Sequence, residues 1–352
     1  MIYFFIVGAI LLSHLYLTFK PQKKIENIWF FSVSFVLFLF AALRDGIGFD
    51  FKNYRKIFRL VKHHESVWNI EPGFYLINYL CGNFHWVIFI SALLAIPLKI
   101  FVINKYSEDK LLSLFIYFTG VFIMYDMGVI RQGISIAIAF FSIQYILNRS
   151  LIKFLAVILL ASSFHVTALV FIPLYFISSS RFTRKAIYGI LIVLLAFSLF
   201  DIGKYILITV FNLLPFEMIV KKVNYYANIN TANITLSLLK RMVLFIICVE
   251  FFIRKGINDA KSLLFLNGFF LSIILMGLFS SIDTIAGRGV AGLQFFQIFL
   301  IPILFTQLKT KIRKLGLLVV IVVMAINTMM GPINQGNRIK QPYTPYDSIL
   351  TD

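Results

Sequence analysis

Long uninterrupted apolar runs alternate along this chain with short polar, mostly cationic connections, and none of the runs shows the period-2 alternation of a half-buried strand. In hydrocarbon every backbone amide must find its partner within its own segment, so such runs predict helices. We place twelve, near 2–19, 28–43, 85–103, 111–126, 133–147, 150–164, 166–180, 186–200, 238–253, 262–280, 290–307 and 315–331. At roughly 20 residues per crossing they take up about 240 residues and leave no room for a separate soluble domain. The expectation is an all-α polytopic integral membrane protein of about 12 transmembrane helices, some short or hairpin-like. It reads as a single domain over 1–352, with longer external loops near 44–84 and 201–237 and a C-terminal tail at 332–352.

Composition strengthens this picture: 60% hydrophobic and 14% charged residues exclude an ordinary soluble enzyme. The net charge of +18 invites a nucleic-acid reading until the cations are located. They sit between the apolar runs, which points to anionic lipid headgroups and no nucleic acid. Six alternate connections (Lys20–Lys24, Lys99–Lys110, Arg149 with Lys153, Arg181–Lys185, Arg254–Lys261, Lys309–Lys314) hold 18 Lys and Arg against four acids, counting Glu26 just beyond the first. That bias assigns them to the cytoplasm and both termini to the outside. Met1 to Phe19 lacks a basic n-region and a small-residue cleavage site, so it reads as a retained span. Cys81 and Cys248 have no metal-type spacing.

Chemistry-bearing residues gather at the external ends of the runs. The segment Arg44-Asp45-Gly46-Ile47-Gly48-Phe49-Asp50-Phe51-Lys52-Asn53-Tyr54 directly follows a run ending at Leu43. It is either an interfacial turn with Arg44 snorkelling or an anion site, in which a guanidinium fork meets phosphate and Asp50 orients it or accepts a hydroxyl proton. Glu71-Pro72-Gly73-Phe74 opens a short amphipathic helix, with Glu71 a candidate for a cation or a sugar hydroxyl. Arg131 is predicted at the start of a helix, where the guanidinium and free backbone N–H groups both favour an anion; the alternative is an ion pair with Asp126 that fixes the turn. His165 sits deep in an apolar hairpin, either as a packed, hydrogen-bonded residue or as a proton-transfer group, since imidazole titrates near neutrality. Arg288 is flanked by Gly287 and Gly289, which let the backbone approach a ligand.

An even number of predicted spans separates Arg44, Arg131, His165 and Arg288, so they face one compartment whichever way the chain inserts. Such a concentration on an outer face exceeds the positive-inside expectation, and a polyanionic ligand is its simplest reason. In the loop 201–237, Lys221 and Lys222 precede an Asn- and Tyr-rich stretch suited to carbohydrate. Glu250, inside a run, is predicted to be paired or protonated. Pro342-Tyr343 and Pro345-Tyr346 either cover the outer opening or are disordered. No Walker loop, Rossmann fingerprint, Gly-x-Ser-x-Gly or HExxH helix is found.

Four segments, in order, resemble the pattern of the EpsG family, a branch of the Wzy-type polymerases of bacterial surface polysaccharides. They are Arg44-Asp45-x-Ile47-Gly48-x-Asp50-x-x-x-Tyr54, Glu71-Pro72-Gly73-Phe74, Arg131-Gln132-Gly133-Ile134-Ser135-Ile136-Ala137 and Phe164-His165-Val166-Thr167-Ala168-Leu169. The resemblance implies a glycosyltransferase in the bacterial cytoplasmic membrane, its active site outside, joining undecaprenyl-diphosphate-linked oligosaccharides during O-antigen or other surface polysaccharide synthesis. On that reading Arg44, Arg131 and Arg288 stabilise the diphosphate leaving group and His165 or Asp50 is the base. Gln132, Tyr54, Glu71, Asp45, Lys221 and Lys222 contribute to substrate binding. Membrane lipids, a chain-length regulator and a flippase of the same pathway are the implied partners. No cofactor is implied, and no ligand cluster demands a metal beside Asp50. The rival function is a lipid-linked oligosaccharide flippase, which should carry its cations along a midplane path rather than at external helix ends.

Overall fold

A computed structural model of the chain describes residues 2–65, 70–203, 205–206, 209, 234–280, 282, 284–338 and 343–350. Among these the architecture is helical, with no strand and one isolated antiparallel bridge between Arg44 and Ser348. All twelve predicted apolar runs carry helix. Among the described residues six helices are long and apolar enough to cross a membrane: Ile2–Phe19, Lys23–Ala42, Phe84–Tyr106, Ile130–Leu147, Ala260–Leu278 and Lys311–Gly336. The chain is thus a multi-pass, all-helical membrane protein, but length and composition do not reach the expected twelve crossings. Several runs are broken by non-α turns, and Leu151–Ser162, at 12 residues, extends about 18 Å against a hydrocarbon core of about 30 Å.

The outward faces bear this out. Helix α1 (Ile2–Phe19) buries Tyr3, Ile6, Ile10 and His14 while exposing Phe5 and Leu12, and Val319 and Val323 are exposed on the helix Lys311–Arg338. Large apolar side chains left uncovered along whole helices are what lipid accepts and water does not.

The chain divides into two compact units, Met1–Leu169 with Ile301–Asp352, and Val170–Leu300. In the first, α1 is followed by α2 (Lys23–Ala42), two short helices α3 (Phe51–Lys62) and α4 (Pro72–Leu80), then α5 (Phe84–Tyr106) and α6 (Lys110–Tyr117). Side chains start two of these: Asn83 accepts from the Trp86 N–H at 3.1 Å, and Asp109 from that of Leu112 at 2.9 Å. After α6 the chain widens into a π-helical stretch, Phe118–Asp126, before α7 (Ile130–Phe141), α8 (Ile143–Leu147) and α9 (Leu151–Ser162).

The π-helical stretch ends on Asp126, which faces inward. Lys99 of α5 is ion-paired with one carboxylate oxygen, and the Tyr117 hydroxyl donates to the other at 2.6 Å. This corrects two expectations. Lys99 is no loop cation, because the helix runs through Pro97 to Tyr106 and buries it, and Asp126 does not partner Arg131. A charge in this setting is tolerable only with its counter-charge and remaining hydrogen bonds supplied.

The tail segment 343–350 packs on the start of α1 and the end of α2. The Tyr3 hydroxyl donates to the Tyr343 carbonyl at 2.7 Å, the Tyr346 ring stacks on Phe40 at 4.0 Å, and the Ile349 N–H donates to the Leu43 carbonyl at 3.0 Å. Tyr343 is fully buried.

In the second unit, Glu250 accepts from Tyr188 at 2.9 Å and from Arg184 at 3.1 Å, the pairing that its place inside an apolar run requires. Arg241, which the sequence reading did not single out, is held by Ser237 and by the Gln294 amide oxygen at 3.0 Å.

Candidate functional site

The four motif segments converge within the first unit. Pro72 occupies the first position of α4, where its missing N–H costs nothing, and this leaves Glu71 as the extended residue just before the helix. The Glu71 side chain caps nothing in its own helix. It accepts instead from Arg131 Nη1 at 2.5 Å. Arg131 is the second residue of α7, as expected for an arginine at a helix start, and its guanidinium lies 5.9 Å over the Tyr54 ring. Tyr54 comes from α3 and is buried against Phe74 at 5.3 Å. The Tyr54 hydroxyl and Arg131 Nε are both buried without a hydrogen-bond partner, so Arg131 acts on the phenol through its charge and not through a bond of good geometry. Burial raises the Tyr54 pKa above the ordinary phenol range, and Asp50 adds to the shift while Arg131 opposes it.

Two glycines allow this approach. Gly48 has φ +117°, and a Cβ there would lie 2.1 Å from the Met127 carbonyl oxygen; only a residue without a side chain can bring this loop against the turn preceding α7. Gly73 donates its N–H to the Ser163 carbonyl at 2.8 Å, and a Cβ would meet that same oxygen at 2.8 Å. The start of α4 is thereby tied to the turn that carries His165.

The residue after Arg131 makes the next link. Gln132 Nε2 donates to Thr167 Oγ1 at 3.3 Å, and Thr167 Oγ1 lies 2.8 Å from His165 Nδ1. The Thr167 backbone N–H donates to the same nitrogen at 3.3 Å. An N–H can only donate, so His165 Nδ1 is the acceptor and the neutral ring carries its proton on Nε2. Ser135 of α7 donates to the His165 carbonyl at 3.1 Å and steadies the turn.

Asp50 stands at the start of α3, half-buried, with Oδ1 3.5 Å from Asn53 Nδ2. Asp45 is half-buried with Oδ1 unpartnered, and its N–H donates to the Asp347 carbonyl at 3.2 Å. Arg44 is enclosed. Its guanidinium donates to the carbonyl oxygens of Ala41 and of Ile47, the latter at 3.3 Å, and burial pulls its pKa down to about 10 against the opposing influence of Tyr343, Tyr346, Asp126 and Tyr3. Arg288 belongs to the second unit, half-buried in the π-helical turn Thr284–Gly289. Lys221 and Lys222 lie outside the described residues. Among the described residues no three His, Cys, Asp or Glu side chains gather as a metal cage.

The structure therefore brings together Tyr54, Glu71, Arg131, Gln132 and His165 of the predicted residues. It adds Thr167, whose place two residues after a histidine was the only sequence signal for it. The arrangement offers a guanidinium at a helix start, an imidazole N–H donor and nearby carboxylates: the makings of a site that holds an anion beside a group able to accept a proton.

No curated protein and no solved structure matches the chain. The EpsG family profile matches residues 27–348, which span all four converging segments, the helices between them and Arg288. The chain belongs to the EpsG family.

Proposed function

We propose that the protein is a membrane glycosyltransferase that lengthens a bacterial surface polysaccharide by joining undecaprenyl-diphosphate-linked repeat units on the outer face of the cytoplasmic membrane. The observation that carries this reading is Arg131, held by Glu71 and Tyr54 at the start of α7 with its Nε still unpartnered. In the reaction an acceptor hydroxyl oxygen attacks the anomeric carbon of the growing chain. The bond from that carbon to the diphosphate breaks, and the lipid diphosphate departs with the electron pair. Charge develops on the leaving oxygen, so a guanidinium aimed there stabilises the transition state more than the ground state.

His165 suits a donor better than a base, because its Nδ1 lone pair already receives the Thr167 N–H. Its Nε2–H then steadies a phosphate or sugar oxygen, and Asp50 takes the acceptor hydroxyl proton. Arg44 shapes the outer turn through the carbonyls it binds. Arg288 lies in the other unit and is given no part in this step.

Deletion of the gene followed by gel analysis of surface polysaccharide tests the reading. Lipid carrier or core bearing a single repeat unit is the expected result. Absence of every external repeat unit would point to a flippase instead.

A further inference from the structure

Helix α3 carries Lys52, Arg55, Lys56, Arg59 and Lys62 among its twelve residues, and no acid. Its apolar side is used within the protein: Phe51, Tyr54 and Val61 are buried, and Phe51 and Phe58 pack on the Phe84 ring at 5.2 and 6.0 Å. Lys62 is drawn aside to the Tyr79 carbonyl at 2.7 Å. Lys52, Arg55, Lys56 and Arg59 are exposed. Their spacing puts them on one face as a stripe about 10 Å long at 1.5 Å per residue. Among the described residues, Arg55, Lys56 and Arg59 have no carboxylate within ion-pair distance.

On an outer face, where cations are normally scarce, three cations placed like Arg55, Lys56 and Arg59 need an anionic occupant. A lipid surface fits it poorly. A helix resting on lipid turns its apolar face down, but in α3 that face is taken up by α4 and α5. The neighbouring α4 is the one that exposes Tyr75, Leu76, Tyr79 and Leu80. We propose that the cationic stripe of α3 docks an acidic glycan arriving from water, so that the repeat units carry carboxylate or phosphate groups. Tyr54 projects from the opposite side of the same helix towards Arg131, so the stripe and the cluster share α3 but lie on different faces of it. This inference rests on the polymerase reading and on its outward orientation.

The test uses the full chain in phosphatidylcholine nanodiscs with a fluorescent oligogalacturonate, a neutral maltodextrin of equal length as control, and no polymerisation step. Saturable binding of the acidic probe alone is expected, weakening about tenfold or more between low and physiological salt. A variant with Arg55→Gln, Lys56→Gln and Arg59→Gln should bind about tenfold more weakly or worse, and Arg313→Gln, at an exposed cation of the helix Lys311–Arg338, should bind as the parent does. Equal binding of the two probes, salt-independent binding, an unaffected triple variant, or a stripe that answers only to phosphatidylglycerol nanodiscs would each overturn the proposal. An active polymerase that ignores the acidic probe sinks this inference alone; a binder of the probe that never extends a chain sinks the catalytic reading alone.

Discussion

Arg131 and Glu71 meet at 2.5 Å although 60 residues separate them in the chain. The contact fixes the guanidinium fork on one side and holds it over the Tyr54 ring. Because both partners are only partly buried, the pair contributes little to stability, and its value is positional.

Arg131→Ala should lower the rate of chain extension by about a hundredfold or more, corresponding to about 3 kcal/mol of transition-state stabilisation. Glu71→Gln keeps an acceptor for the guanidinium and should cost roughly tenfold. Initial rates in a reconstituted system separate the two; an equal loss in both would mean that Glu71 itself takes part in the chemistry.

Thr167→Val removes the hydroxyl that joins Gln132 to His165 but keeps the backbone N–H on Nδ1. The variant should lose rate by about tenfold and Thr167→Ser should restore it, whereas His165→Ala should lose substantially more. Failure of the serine to rescue would place the effect in packing.

Gly48→Ala should disrupt the packing of this loop on the turn before α7, costing about 3 kcal/mol or more, because the new Cβ lies on the Met127 carbonyl and φ is +117°. Gly46, at φ +64° with open space around it, should cost only about 1 kcal/mol on the same change. Thermal melts of the two variants in detergent check the ordering.

Lys99→Leu should destabilise by about 3–5 kcal/mol, since it leaves Asp126 buried beside Tyr117 without a counter-charge. Adding Asp126→Leu should recover part of the loss. Recovery in the double variant, read from the melting temperature, separates the cost of an orphaned charge from a loss of packing.

The helical membrane architecture was legible because apolar runs leave few alternatives, and the four motif segments were legible as short polar islands at their ends. Where those islands meet was not. Gly48 and Gly73 read in the sequence as turn residues, yet each is needed for close backbone approach to a segment far along the chain. Arg44 and Arg131 looked alike as arginines at span ends, but one is closed off by backbone carbonyls and the tail, and the other sits beside a carboxylate and an aromatic ring. Lys99 was counted with the loop cations although the predicted run continues to 103, because a lysine near the end of a run reads as part of the connection that follows. Its partner lies 27 residues on, behind a π-helical stretch that no periodicity announces. The tail offered two prolines and two tyrosines, and only the structure reveals Tyr343 buried and Tyr346 stacked on Phe40.

The central claim is that Arg131 holds the departing lipid diphosphate. Extension of a synthetic lipid-diphosphate-linked repeat unit by the purified protein in liposomes tests it most directly, with Arg131→Ala alongside the parent at equal insertion. The account predicts long products from the parent and single repeat units from the variant; chains of parental length from Arg131→Ala would contradict it.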